Sequence, residues 1–136
     1  MTLMDIEPTG TRVIAKGIHL SSRVLVVEDQ TLIAMDLQAL LEDDRTFVVV
    51  GPATSVSEAD ALLAKEQVDL ALVDFMLADG EAGPLLDHLK AKSIPFALCT
   101  GADCHELSSA YPFTPILAKP YKIEDVVKVM KALVRR

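Results

Sequence analysis

The chain contains no Trp, and aromatic residues fill only 4% of its 136 positions. Its apolar half is therefore built from Val, Leu, Ile and Ala. That composition suits a parallel sheet covered on both faces. Cysteine is scarce too: Cys99 and Cys104 are too few for a disulfide framework, so the default is a cytoplasmic protein with reduced thiols. No apolar run approaches the length that crosses a bilayer. At the N-terminus Asp5, Glu7 and Pro8 interrupt the stretch a secretory signal would need. The formal net charge of −7 argues against a uniformly basic nucleic-acid surface. Internal repeats of solenoid period are also absent.

What is present is an alternation. Residues 1–22 carry Thr9, Gly10, Gly17, Ser21 and Ser22 without a sustained period, which reads as a loosely ordered extension. From residue 23 to 136 the pattern is that of one domain. Val24–Val27, Phe47–Val50, Leu70–Val73, Phe96–Cys99 and Ile116–Ala118 are short apolar runs of strand type. Between and after them, apolar residues recur at helical spacing, as in Ile33, Leu37, Leu40 and Leu41, or Val126, Val127, Met130 and Leu133. Ser55 or Ser57 is placed to cap the second helix. The stretch 101–114 has Gly, Pro and Ser and only a weak helical period, so it is expected to be the most mobile part of the domain. Five strands alternating with helices specify an α/β fold, a doubly wound parallel sheet with helices on both faces.

In such a sheet the reactive crevice lies at the carboxyl ends of the strands. Reading only those ends collects Glu28 and Asp29 after the first strand, Asp74 after the third, Thr100 after the fourth and Lys119 after the fifth. Clustered carboxylates repel one another, a cost that a hard divalent cation relieves. An ammonium and a hydroxyl suit phosphoryl oxygens. The set fits Mg²⁺-assisted phosphoryl transfer to a carboxylate nucleophile. Cys99, Cys104 and His105 do not have the spacing of a zinc site. The loop Glu28-Asp29-Gln30 lacks the glycines of a nucleotide-binding turn.

The order acidic pair, Asp, Thr, Lys-Pro resembles the response-regulator receiver domain over residues 23–136. The resemblance implies a flavodoxin-like strand order, 2-1-3-4-5. It also implies that Asp74 is the phosphoacceptor and that Thr100 and Lys119 hold the phosphoryl oxygens. Mg²⁺ would be bound by Asp29, Asp74 and the backbone carbonyl of Met76, with Glu28 acting largely through water. Ile94-Pro95-Phe96, Cys99-Thr100-Gly101 and Pro115 through Tyr121 are further similar to the "FAT GUY" receivers, mostly stand-alone proteins that work with HWE-type histidine kinases. Two positions depart from the common receiver: Ala78 stands where many have Pro, and Ile116 where many have a switching aromatic.

The expectation is thus a single-domain response regulator of a two-component system or phosphorelay, not an enzyme. It would take a phosphoryl group from a histidine kinase and signal through a partner, or relay or drain phosphate through a phosphotransfer protein. The alternative is a pseudo-receiver, a pure interaction module. A phosphatase of the haloacid-dehalogenase class would need a second Asp two residues after the nucleophile, where Met76 stands. Direct nucleic-acid or membrane contact is not expected. Leu32, Asp36, Pro120 and Tyr121 are the expected kinase-docking contacts, since a partner must cover the edge that holds Asp74.

Overall fold

A computed structural model describes residues 5–6, 12–14, 18–101 and 104–134, with side chains described from residue 21 onward. The chain runs β1 (Asp5–Ile6), β2 (Arg12–Ile14), β3 (Ile18–Leu20), β4 (Ser22–Val27), α1 (Thr31–Asp43), β5 (Phe47–Ala53), α2 (Val56–Lys65) and β6 (Leu70–Asp74). It continues through β7 (Met76–Leu77), β8 (Gly80–Glu81), α3 (Gly83–Ala91), β9 (Phe96–Thr100), α4 (Cys104–Ala110), β10 (Ile116–Ala118) and α5 (Ile123–Val134). The main sheet is parallel, in the order β5-β4-β6-β9-β10. This is the expected 2-1-3-4-5 arrangement of a flavodoxin-like fold.

Strand periodicity explains the two-sided core. Val24 and Val26 face one side of the sheet, Leu25 and Val27 the other. On the first side they meet Leu37 and Leu41 of α1 and Val126, Met130 and Leu133 of α5. On the second they meet Ala59 and Leu63 of α2, Leu85, Leu86 and Leu89 of α3, and Leu107 of α4. Because both faces are covered, every residue of β6 and β9 is buried. Their sequences accordingly read as apolar runs rather than as alternation.

The structure adjusts several expectations. Within the segment expected to be a loosely ordered extension, the described backbone forms three short antiparallel strands, β1-β2-β3. Such short polar-flanked strands leave no periodic signal. The main sheet begins at Ser22, one residue before the boundary read from the sequence. The second strand runs on through Gly51-Pro52 to Ala53, because Val27 pairs with Ala53 across a register shift in β4. Asp74 and Thr100 stand at the carboxyl ends of β6 and β9, as expected, and are the last residues of those strands. Ser55, not Ser57, caps α2: its hydroxyl accepts from the Glu58 amide at 3.1 Å. The weak pattern after residue 101 includes a seven-residue helix, α4, fixed by the single buried Leu107.

Two side chains secure the α1 side. Glu42 accepts from the backbone amide of Val49 on the outer strand β5 at 3.1 Å. Asp44, just past α1, accepts from Lys131 of α5 at 2.6 Å and from the Thr46 amide at 2.9 Å. The Lys131 hydrogen bond, then the Thr46 amide, hold the Asp44 carboxyl down at about 2, from an ordinary 3.8. A depressed carboxylate stabilises the fold above its unfolded pKa and loses that contribution as pH falls. The expected result is a loss of about 1 kcal/mol between pH 4 and pH 2, discounted for the half-exposed, salt-screened lysine. Thermal melts of Lys131→Met against wild type across that range check it: the difference between them should shrink as pH falls. A constant difference would exclude the ion pair as its source.

Candidate functional site

In the order β5-β4-β6 the sense in which successive parallel strands are added reverses at β4: β5 is laid on one side of it and β6 on the other. The crevice of such a fold opens at that switch point, at the carboxyl ends of the strands. Glu28 and Asp29 follow β4 and Asp74 closes β6, so three carboxylates stand at the crevice. One oxygen from each lies within 4.8 Å of the others. Thr100 closes β9, and Lys119 follows β10. Backbone pairing locks these ends together: the Lys119 amide donates to the Thr100 carbonyl at 2.8 Å, and the Phe75 amide to the Cys99 carbonyl at 2.9 Å. The Lys119–Pro120 peptide is cis.

Glu28, Asp74 and Thr100 are buried, while Asp29 is half-buried. The Lys119 ammonium donates to Asp74 Oδ2 at 2.7 Å and, more weakly, to Glu28 Oε1 at 3.4 Å. The second oxygen of Asp74 accepts from the Met76 amide at 3.3 Å, and Glu28 Oε2 from the Gln30 amide at 3.1 Å. Burial raises the Glu28 carboxyl above its ordinary value; the Gln30 amide opposes this, and the negative charge of Asp74 adds to it. Burial would lower the Lys119 ammonium, but its hydrogen bond to Asp74 and the charges of Asp74 and Glu28 outweigh that and raise it. One cation shared by buried carboxylates leaves negative charge uncompensated, and this is where a divalent ion fits.

Cys99 lies opposite Asp74 in the β6–β9 register. Burial, then the Asp74 charge, push its thiol up to about 12. It is a buried, protonated thiol and cannot serve as a nucleophile at neutral pH. Among the described residues, the only grouping of metal-type side chains is Glu28, Asp29 and Asp74. Ala102 and Asp103 lie outside the described residues.

Around this centre the structure places the expected docking residues beside one groove. Ile33, Asp36, Lys119, Pro120 and Tyr121 line a groove of about 410 Å³ between α1 and the segment after β10. Leu32 is 78% exposed on α1, and Asp36 and Pro120 are exposed. Tyr121 lines the groove and is half-buried. Its ring packs against the core on the α1–α5 side, and its hydroxyl is enclosed beside the Cys99 thiol. Burial raises the Tyr121 hydroxyl above its ordinary value. The sequence reading missed Met35, which is 58% exposed one helical turn from Leu32 and extends the same apolar patch. It also missed the β7–β8 hairpin directly after Asp74, which pairs Met76 with Glu81 and Leu77 with Gly80. The Asp79-Gly80 dipeptide was its available signal.

A doubly wound sheet with an acidic pocket, a hydroxyl and a lysine at its carboxyl edge defines a signalling module of the receiver class. The chain belongs to the response regulator receiver domain family, which matches residues 24–131. The family is a module of two-component systems and not an enzyme class. The chain is 33% identical over 115 residues to the phyllosphere-induced regulator PhyR of Methylorubrum extorquens, covering 82% of this chain and 43% of that one. It thus spans about half the length, or less, of the curated relatives it matches. Among solved structures, the non-phosphorylated HemR receiver domain of Leptospira biflexa superposes with a TM-score of 0.73 at 25% identity, over 85% of this chain and 96% of that one. SdrG of Sphingomonas melonis Fr1 does so at 0.68 with 33% identity, over 86% and 99%. No described helix is long and apolar enough to cross a membrane.

Proposed function

We propose that residues 23–136 act as a phosphorylatable receiver in which Asp74 accepts a phosphoryl group from a histidine kinase. The 2.7 Å contact between the Lys119 ammonium and the buried Asp74 carboxylate carries this reading. An ammonium held against a nucleophilic oxygen is placed to neutralise charge on an incoming phosphoryl group. Asp29, Asp74 and the Met76 carbonyl would hold Mg²⁺, with Glu28 bound through water. The ion would supply charge neutralisation between the carboxylates and the phosphoryl oxygens. The Thr100 hydroxyl would donate to the phosphoryl group. The same ammonium contact favours this reading over a pure interaction module.

The test is direct. With Mg²⁺ and acetyl phosphate, intact mass should rise by one phosphoryl group. With chelator in excess it should not. Labelling at full rate in chelator would overturn the metal's role, and no labelling under either condition would overturn the reading as a whole.

The kinase would approach over Leu32, Met35 and Asp36 of α1 and over Pro120, because the phosphohistidine must reach the crevice. Tyr121 would form the wall of that surface rather than a free contact. The resemblance to "FAT GUY" receivers makes an HWE-type kinase the proposed donor. The output would pass through a partner protein, or phosphate would move on to a phosphotransfer protein. Leu32→Asp is expected to slow transfer from the kinase about tenfold, the loss typical of an exposed apolar anchor. Labelling by acetyl phosphate should survive, since the substitution lies outside the crevice. If both routes slow equally, Leu32 serves the fold and not docking.

A further inference from the structure

The hairpin that follows Asp74 has little to hold it by itself. It consists of two residues on each side joined by Ala78-Asp79, extended by one bond from the Ala82 amide to the Phe75 carbonyl at 2.9 Å. A ribbon of that size is marginal in water. Ala78 has no ring to fix its backbone, and Gly80 adopts a φ of 131°, open to few other residues. Among the described residues, two external ties remain. Leu77 is buried in the core. The Asp79 carboxylate forks onto the start of α2, with Oδ1 accepting from the Val56 amide at 2.9 Å and Oδ2 from the Ser57 amide at 3.2 Å.

That fork divides the capping of α2 between two sources. The first two helical amides are taken by Asp79, the third by Ser55 within the chain's own turn. Ser55 therefore stabilises α2 alone, whereas Asp79 also pins the hairpin. The hairpin in turn bears Met76, whose amide orients Asp74 and whose carbonyl is the proposed third protein ligand of Mg²⁺. The Val56 amide is the main cause that lowers the Asp79 carboxyl, in keeping with a carboxylate at a helix N-terminus.

We infer that Asp79 is a positioning residue for the Mg²⁺ site: by clamping the β7–β8 hairpin to α2, it holds the Met76 backbone in register with Asp74. This role rests on the proposed Mg²⁺ site. It deepens that proposal by naming what fixes a ligand supplied by the backbone, which no side-chain substitution at Met76 could reveal.

The test compares Asp79→Ala, Asp79→Asn and Ser55→Ala in the full chain. Mg²⁺ alone is titrated, followed by calorimetry and by the amide signals of Asp74 and Met76, with thermal melts in parallel. Both Ala variants remove caps of α2 and should lower Tm comparably. Only Asp79→Ala should weaken Mg²⁺, by about tenfold, as loss of a group that orients a metal ligand does. Asp79→Asn keeps one acceptor, should fall between, and remains informative if the Ala variant does not fold. Unchanged Mg²⁺ affinity in both Asp79 variants, or equal weakening in Ser55→Ala, would overturn the positioning role. Absence of Mg²⁺ binding by the wild type would overturn the metal site itself, and this role with it.

Discussion

Asp74→Asn should show no mass gain after incubation with Mg²⁺ and acetyl phosphate under conditions that label the wild type fully. The reasons are geometric and electrostatic. Asp74 ends a strand buried at every position, so its carboxylate cannot swing away. Both of its oxygens are engaged, one by Lys119 at 2.7 Å and one by the Met76 amide at 3.3 Å. An amide at this place keeps the shape but loses the charge and the nucleophilic oxygen. The two neighbouring carboxylates do not replace it. Glu28 is buried, raised in pKa and turned toward the Gln30 amide, and Asp29 lies on the loop beyond the strand. Full labelling of the variant would move the acceptor elsewhere and undo the proposed chemistry. The fold should survive, because one carboxylate fewer relieves repulsion within the cluster.

Lys119→Met should destabilise the protein by about 2 kcal/mol at pH 8 in the absence of Mg²⁺. Breaking a buried ion pair costs about 3–5 kcal/mol, chiefly through the charge left behind. Two features reduce that here. Lys119 is 22% exposed, and Glu28, already raised by burial, can take up a proton in place of the lost ammonium. The pH dependence follows from that second route. A carboxyl whose pKa is raised by folding makes the folded state bind more protons than the unfolded one. Stability then falls as pH rises from Glu28's unfolded value of 4.5 through its folded value. Removing Lys119 raises the folded value further, so the variant should lose more at pH 8 than at pH 5. Added Mg²⁺ should return much of the loss by mass action. Denaturant midpoints at the two pH values, with and without Mg²⁺, measure each part. Equal stability of variant and wild type at pH 8 without Mg²⁺ would show that Lys119 does not neutralise the cluster.

The fold was legible in the sequence because its strands are covered on both faces. Continuous runs such as Leu70–Val73 and Phe96–Cys99 admit few other placements, and the site residues come at their ends. What escaped is what leaves no periodicity. The hairpin after Asp74 is too short to show alternation, and its anchor at Asp79 joins residues 22 and 23 positions apart. The two-sided placement of Tyr121 is likewise not written in the sequence: an aromatic after Lys-Pro can face a groove or the core, and this one does both, half-buried against the core and lining the groove. The helix Cys104–Ala110 hangs on one buried leucine, below what a hydrophobic period can reveal. The strands between Asp5 and Leu20 are held by backbone pairing whose sequence trace is slight.

The amide of Val49 on the outer strand is already taken by Glu42. A foreign strand seeking to lengthen the sheet at that side would find a donor occupied and a carboxylate in its path. It would have to displace the acid, desolvate it and then accept a neighbour whose Val48 stands 39% open to water. Edges left bare invite such stacking, and an inward-reaching charge is one way proteins refuse it. In this chain one glutamate on α1 guards that donor of β5 from a position well away from the carboxylate cluster.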